Sequence, residues 1–125
     1  MVVKCGATEP NLPQAVRLGK YFAAGKQEFP VDTGRSYHVY GMRLWGAGVW
    51  IDIESEGGYL VVVPLCLFTV VDSAVPPWWV AKVDDDGDVA LLPEAFHDRY
   101  FIDALSEGDT RAKAAFAAIK RQMNC

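Results

Sequence analysis

The run Asp84–Asp85–Asp86–Gly87–Asp88 is the densest set of side chains in this sequence that could do chemistry. Asp84, Asp86 and Asp88 alternate as the oxygen ligands of a calcium loop do. An EF-hand loop opening at Asp84 would require glycine at its sixth position and glutamate at its twelfth. Glycine comes fourth instead, as Gly87, and Ala95 stands twelfth. Asp86–Gly87 is a strong hairpin-turn dipeptide between two apolar runs. The segment therefore reads as a turn that carries exposed acid, with no metal.

Other candidate groups are scattered. His38 lies in an aromatic stretch with Tyr37 and Tyr40, where it could serve as base to Cys66 with Asp52 as the orienting acid. No spacing selects that trio. His97, beside Asp98, reads as part of a solvated helix face. Asp52 and Glu54 put two carboxylates on one strand face, as a glycosidase or metal site would use. The solvent-facing side of an antiparallel sheet explains them equally. Gly46–Ala47–Gly48 leads into a strand, whereas a dinucleotide fingerprint needs a helix N-terminus to meet phosphate. No Gly–Lys–Ser/Thr phosphate loop occurs, so no cofactor is implied. Cys5, Cys66 and Cys125 are odd in number and far apart, which fits neither a disulfide framework nor a zinc pattern. Cys66, between two leucines, reads as a small buried hydrophobe.

Pro76–Pro77–Trp78–Trp79 bears on binding more than on chemistry. Adjacent residues of a strand point to opposite faces. If one tryptophan fills the core, the other must meet a helix, a ligand, a partner or water. Tryptophan is enriched among binding hot spots.

These residues must be positioned by a chain of 125 residues, a length that suits one domain covering 1–125. Half of it is apolar, enough for a core without disulfide or metal staples. No run reaches the ~18 apolar residues of a spanning helix. The N-terminus lacks the hydrophobic region of a secretory signal, so a cytoplasmic protein is expected. Net charge is −4, and no dense basic stripe is present. Nucleic acid is disfavoured as a partner, whereas a basic protein is not.

Along the chain, Met1–Pro10 looks like a tail or a short edge strand. A helix with the stripe Ala15, Leu18 and Phe22 is expected from Asn11 to Gly25. Strands follow at Tyr37–Trp45, Val49–Glu54, Tyr59–Val63 and Phe68–Asp72, then a hairpin of Trp78–Asp84 with Asp88–Leu92. Val49, Ile51 and Ile53 share one face of their strand, and Trp50, Asp52 and Glu54 share the other. After Pro93 the apolar period becomes helical, with Phe96, Tyr100, Phe101, Ala104 and Leu105 on one stripe and Gly108 closing it. Asp109 caps a second helix striped by Ala112, Ala115, Phe116, Ile119 and Met123. Strands in a run and then helices in a run give an α+β domain. Its expected form is an antiparallel β-meander of about four to six strands with one N-terminal and two C-terminal helices.

The runs Tyr37–Trp45, Gly48–Trp50, Pro64–Phe68 and Val70–Asp72 resemble a family of small uncharacterised bacterial proteins, over roughly residues 35–120. Proteins of this size and composition resemble immunity proteins, which neutralise secreted toxins by tight binding. The resemblance implies a toxin-binding function and assigns no residue a role. The expected function is thus binding and not catalysis. Contact would come from Trp78 or Trp79, with Asp84, Asp85, Asp86, Asp88, Glu54 and Glu56 offering acid to a basic toxin domain. Two other readings stand beside it. One is a small enzyme or ligand-binding domain that uses the aromatic sheet face with His38 and Asp52. The other is a homodimer joined through the tryptophan surface.

Overall fold

The computed structural model describes residues 1–11, 29–46 and 48–123. The described residues form an α+β arrangement of two antiparallel sheets and two C-terminal helices. The helix expected over Asn11–Gly25 lies outside them. The strands are β1 (Val2–Cys5), β2 (Ser36–His38), β3 (Gly41–Trp45), β4 (Gly48–Glu54), β5 (Leu60–Pro64), β6 (Phe68–Asp72), β7 (Val80–Val83) and β8 (Val89–Leu92). The helices are α1 (Phe101–Ser106) and α2 (Thr110–Met123). One sheet runs β2-β1-β6 and the other β5-β4-β3-β8-β7. This differs from a single meander of four to six strands. Consecutive strands pair in β1-β2, β3-β4-β5 and β7-β8, whereas β1-β6 and β3-β8 join strands distant in sequence.

Two segments account for the second sheet. Met1–Pro10, expected as a tail or edge strand, supplies β1, the middle strand of the small sheet, with Val3 and Cys5 buried. The single strand expected at Tyr37–Trp45 breaks at Val39–Tyr40. There the Val39 N–H donates to the Met1 carbonyl (3.0 Å) and the Tyr40 N–H to the Asp52 carbonyl (2.8 Å). Two successive amides are thus bonded to different sheets. The chain turns the corner between them as strands that change sheets do.

The five-stranded sheet carries a core on each face, and β4 is buried along most of its length. Ile51, Ile53 and Val63 cluster with Val3, Cys5 and Tyr37 of the small sheet and with Phe29, Val31 and Leu67. Leu60 and Leu92 cluster instead with Tyr40, Phe96, Phe101, Leu105, Phe116 and Ile119, which attaches the helices. The alternation expected of β4 holds in its register, since Ile51 and Ile53 pair across to Met42 and Val63 and to Val61. Gly41 permits close approach here. A Cβ on it would lie 2.3 Å from Leu92 Cδ2.

The C-terminal half follows the sequence in outline. Asp109 Oδ1 accepts the N–H groups of Arg111 and Ala112 (2.8 and 3.0 Å), a side-chain cap for α2. Ala112, Phe116 and Ile119 are buried. The preceding helix is interrupted, with a 3₁₀ turn at Glu94–His97 followed by α1. Asp98 Oδ1 accepts the Tyr100 N–H, an Asx turn that breaks the continuous helix. Tyr100, expected on the buried stripe, is consequently exposed. No helix among the described residues is long and apolar enough to cross a membrane.

Candidate functional site

The end of the large sheet where β3 meets β4 and β7 meets β8 gathers the most distinctive surface. The β7–β8 connection is a tight turn. The Gly87 N–H donates to the Asp84 carbonyl (3.1 Å), the Asp84 N–H to the Asp88 carbonyl (3.0 Å), and Gly87 has φ +84°. That is a type I-like turn followed by a left-handed residue, the common three-residue hairpin loop, and it explains glycine at this position.

The acids of this turn have two different employments. Asp84 Oδ1 accepts the N–H groups of Asp86 (2.9 Å) and Asp88 (3.0 Å), and Asp88 Oδ1 accepts the Gly46 N–H (2.9 Å). Asp84 therefore shapes its own loop, and Asp88 fastens that loop to the β3–β4 turn. Asp85 and Asp86 are exposed. One carboxylate oxygen each from Asp84, Asp86 and Asp88 lies within 4.8 Å of the others. The Asp84 and Asp88 carboxylates, however, already accept backbone donors.

Which aromatic residue accompanies this acid differs from the expectation. Trp45 lines a cavity of about 390 Å³ together with Arg43, Lys82, Asp84, Asp88 and Arg99. The Arg43 guanidinium carbon stands 5.5 Å from the Trp45 ring centroid. Trp78 and Trp79 lie beyond the opposite end of β7, about 13 Å of strand away. They are also not in a strand. Trp78 sits in a turn, and the Trp79 N–H donates to the Pro76 carbonyl (3.3 Å). Neither ring fills the core completely and neither stands fully in solvent, because both are half-buried. Trp79 packs on the core shared by the sheets, and the indole N–H groups of both rings are enclosed without a hydrogen-bond partner.

Glu54 and Glu56 stand at the far end of β4 from the acidic turn. Glu54 Oε1 meets Lys120 Nζ at 3.3 Å, and Glu56 Oε1 meets Arg35 Nη1 at 3.1 Å. The hydrogen bond that protonated Glu56 donates to the Asp32 carboxylate, and after it the Asp32 charge, raise the Glu56 pKa against the opposing pull of Arg35. The eight expected contact residues thus fall into three separate places.

A surface missed in the sequence lies on the face of the large sheet opposite Arg43. Leu44 pairs with both Val49 and Val89, and Val89 pairs with Val83. These four apolar side chains form one row across β4, β3, β8 and β7. The adjoining row is Ile51, Met42, Leu91 and Ala81. Where β4 and β5 lie, this face is buried in the core. Toward β7 it opens, leaving Leu44 39 % and Val83 67 % exposed. The pattern Val80–Ala81–Lys82–Val83 could have signalled it, since its outward residues are apolar where solvent favours polar ones.

Of the candidate catalytic groups, Asp52 and His97 are held by other residues, while His38 and Cys66 are exposed. Asp52 has 0 % exposure and is held bidentately by Arg43, Nε to Oδ1 and Nη2 to Oδ2, both at 2.8 Å. The solvent-facing sheet side expected for Asp52 is therefore a buried one. His38 is exposed on β2, in the other sheet. Cys66, expected to be buried, is exposed in the 3₁₀ turn Leu65–Leu67, where its neighbour Leu67 takes the inward position. His97 does not sit on a solvated helix face, because its Nε2 lies 2.7 Å from the Val80 carbonyl and ties the 3₁₀ turn to β7. No family model, curated protein or solved structure matches the chain.

Proposed function

We propose that this chain is a protein-binding module that acts in the cytoplasm as an immunity-type inhibitor, neutralising a toxin domain by covering it. The observation that supports this most is the open apolar half of the large sheet, Leu44, Val83 and Val89, running up to the acidic turn. Contiguous exposed apolar surface on a folded domain is characteristic of interaction sites. Free acid at Asp85 and Asp86 beside it favours a basic partner, because exposed charge steers encounter and excludes like-charged surfaces. A small enzyme built on His38 and Asp52 draws no support from the geometry, which commits the Asp52 carboxylate to Arg43.

The test is affinity capture of the tagged chain from its native host, followed by reconstitution with the captured protein. A stoichiometric complex in which the partner's toxic activity is suppressed is the expected result. A captured partner whose activity is unchanged by saturating chain would contradict the inhibitor reading. If sedimentation of the chain alone shows a dimer that Val83→Asp dissolves, the apolar face belongs to the homodimer reading instead.

A further inference from the structure

The open apolar half of the large sheet ends at a bare sheet edge. Among the described residues, β2, β6, β5 and β7 form the edges of the two sheets. Natural sheets guard their edges by shortness, bulges, proline or a covering element. β2 has three residues, and β6 carries a register shift that leaves Val71 unmatched. β5 ends in Pro64 and has no exposed residue. β7 has none of these guards. Its pairing with β8 is regular, no proline interrupts Val80–Val83, and Ala81, Lys82 and Val83 are all exposed.

The register identifies the backbone groups left over. The Asp84 N–H donates to the Asp88 carbonyl, so these two form a hydrogen-bonded pair of the hairpin. Such pairs alternate along an antiparallel ladder, which gives the other β7–β8 bonds to Lys82 with Ala90 and Val80 with Leu92. The N–H and carbonyl of Ala81 and of Val83 therefore point away from β8, and no strand among the described residues meets them there. The Ala81 and Val83 side chains lie in the open apolar rows, paired with Leu91 and Val89. Lys82 turns to the other face, where its Nζ stands 3.1 Å from Glu94 Oε1.

We infer that β7 receives an extended segment of the protein partner as a sixth strand of the large sheet, antiparallel like its neighbours. The inference rests on the protein-binding reading only for the source of that strand. Backbone bonds to Ala81 and Val83 give the affinity, and alternate side chains give the selectivity. Residues opposite Val83 and Ala81 prolong the two apolar rows and are apolar. The residue between them stands beside Lys82 and Glu94 and is polar. Running antiparallel, the segment arrives past the exposed Asp85 and Asp86, which favours basic residues at its start. A second copy of this chain fits poorly. The two-fold pairing that gives both Ala81 and Val83 extended partners sets Lys82 directly opposite its own copy, and like charges so placed repel.

The test titrates the full chain with the peptide acetyl-Lys-Lys-Val-Thr-Val-Thr amide, followed by amide NMR shifts and amide hydrogen exchange. The same peptide N-methylated at both valines keeps its side chains and charge but cannot donate to the edge, and serves as the parallel arm. Saturable shifts centred on residues 80–86 at millimolar peptide, with slowed exchange at Ala81 and Val83, are expected only with the first peptide. Ala81→Pro removes an N–H that β8 does not use, a change that edge strands tolerate. It should weaken binding about fivefold or more, as loss of a hydrogen bond does, with spectral dispersion unchanged. The inference is overturned by equal binding of the methylated peptide, by shifts confined to Asp84–Asp88, or by no saturable shift. These outcomes leave the inhibitor reading standing, since a partner can cover the apolar face without pairing to its edge. Exchange at Ala81 and Val83 that slows with the concentration of the chain alone also overturns it, because a second copy then holds the edge.

Discussion

At the scale of single residues, two groups inside the molecule make sharp demands. Asp52 and Arg43 form a bidentate pair with Asp52 fully enclosed. Removing one member leaves the other charged and uncompensated. Asp52→Ala should therefore cost about 3–5 kcal/mol in urea unfolding, whereas the double change Arg43→Met with Asp52→Leu should recover most of it. Tyr40 is packed edge-on against Phe116, with ring centroids 5.1 Å apart. Burial, and after it the charge of Glu54, push its pKa up to about 12. Its neutral form is thus favoured in the folded state. The stability this gives is complete below pH ~10, where unfolded tyrosine keeps its proton, and is lost as pH rises from there through the folded value. Absorbance titration should show a late tyrosinate step near pH 12 that Tyr40→Phe removes. A titration in which that variant still shows the late step would assign it to another tyrosine.

At the scale of elements, the β7–β8 turn divides its acids by task. Asp84→Ala and Asp88→Ala each remove a carboxylate that accepts backbone N–H groups, and each should lower stability by about 1 kcal/mol. Asp85→Ala should stay within about 0.5 kcal/mol of wild type. Added calcium should leave the thermal midpoint unchanged, because those Asp84 and Asp88 oxygens already serve the turn. A midpoint that climbs with micromolar calcium and loses that response in Asp86→Asn would contradict this. The turn itself was legible in the sequence, since Asp86–Gly87 dictates it locally. The same holds for the cap and stripe of α2, where Asp109 and the 3.6-residue period suffice. The break at Val39–Tyr40 was not legible, because it depends on amides bonding to Met1 and Asp52, which are distant in sequence. Nor was the place of β1, whose short apolar run says nothing about being flanked on both sides. Burial of Asp52 was hidden for a similar reason: alternation locates a face but not what covers it.

At the scale of the whole molecule, the large sheet is sealed on one face by helices and on part of the other by the small sheet. The uncovered remainder toward β7 is what the sequence could not display, since Leu44, Val83 and Val89 come together only through pairing of β3, β8 and β7. The same topology separates the acidic turn from Trp78 and Trp79 and from Glu54 and Glu56, so one continuous contact patch made of all eight gives way to distinct surfaces. The central claim is that the open apolar face binds the partner while the neighbouring acid steers it. The most direct measurement is the binding kinetics of the captured partner against Val83→Asp and against the pair Asp85→Ala with Asp86→Ala. Val83→Asp should speed dissociation about 30-fold or more, the equivalent of a hot spot of 2 kcal/mol, with the thermal midpoint unchanged. The acidic pair should instead slow association and flatten its salt dependence. Wild-type kinetics in both variants, with their folds intact, would contradict the account.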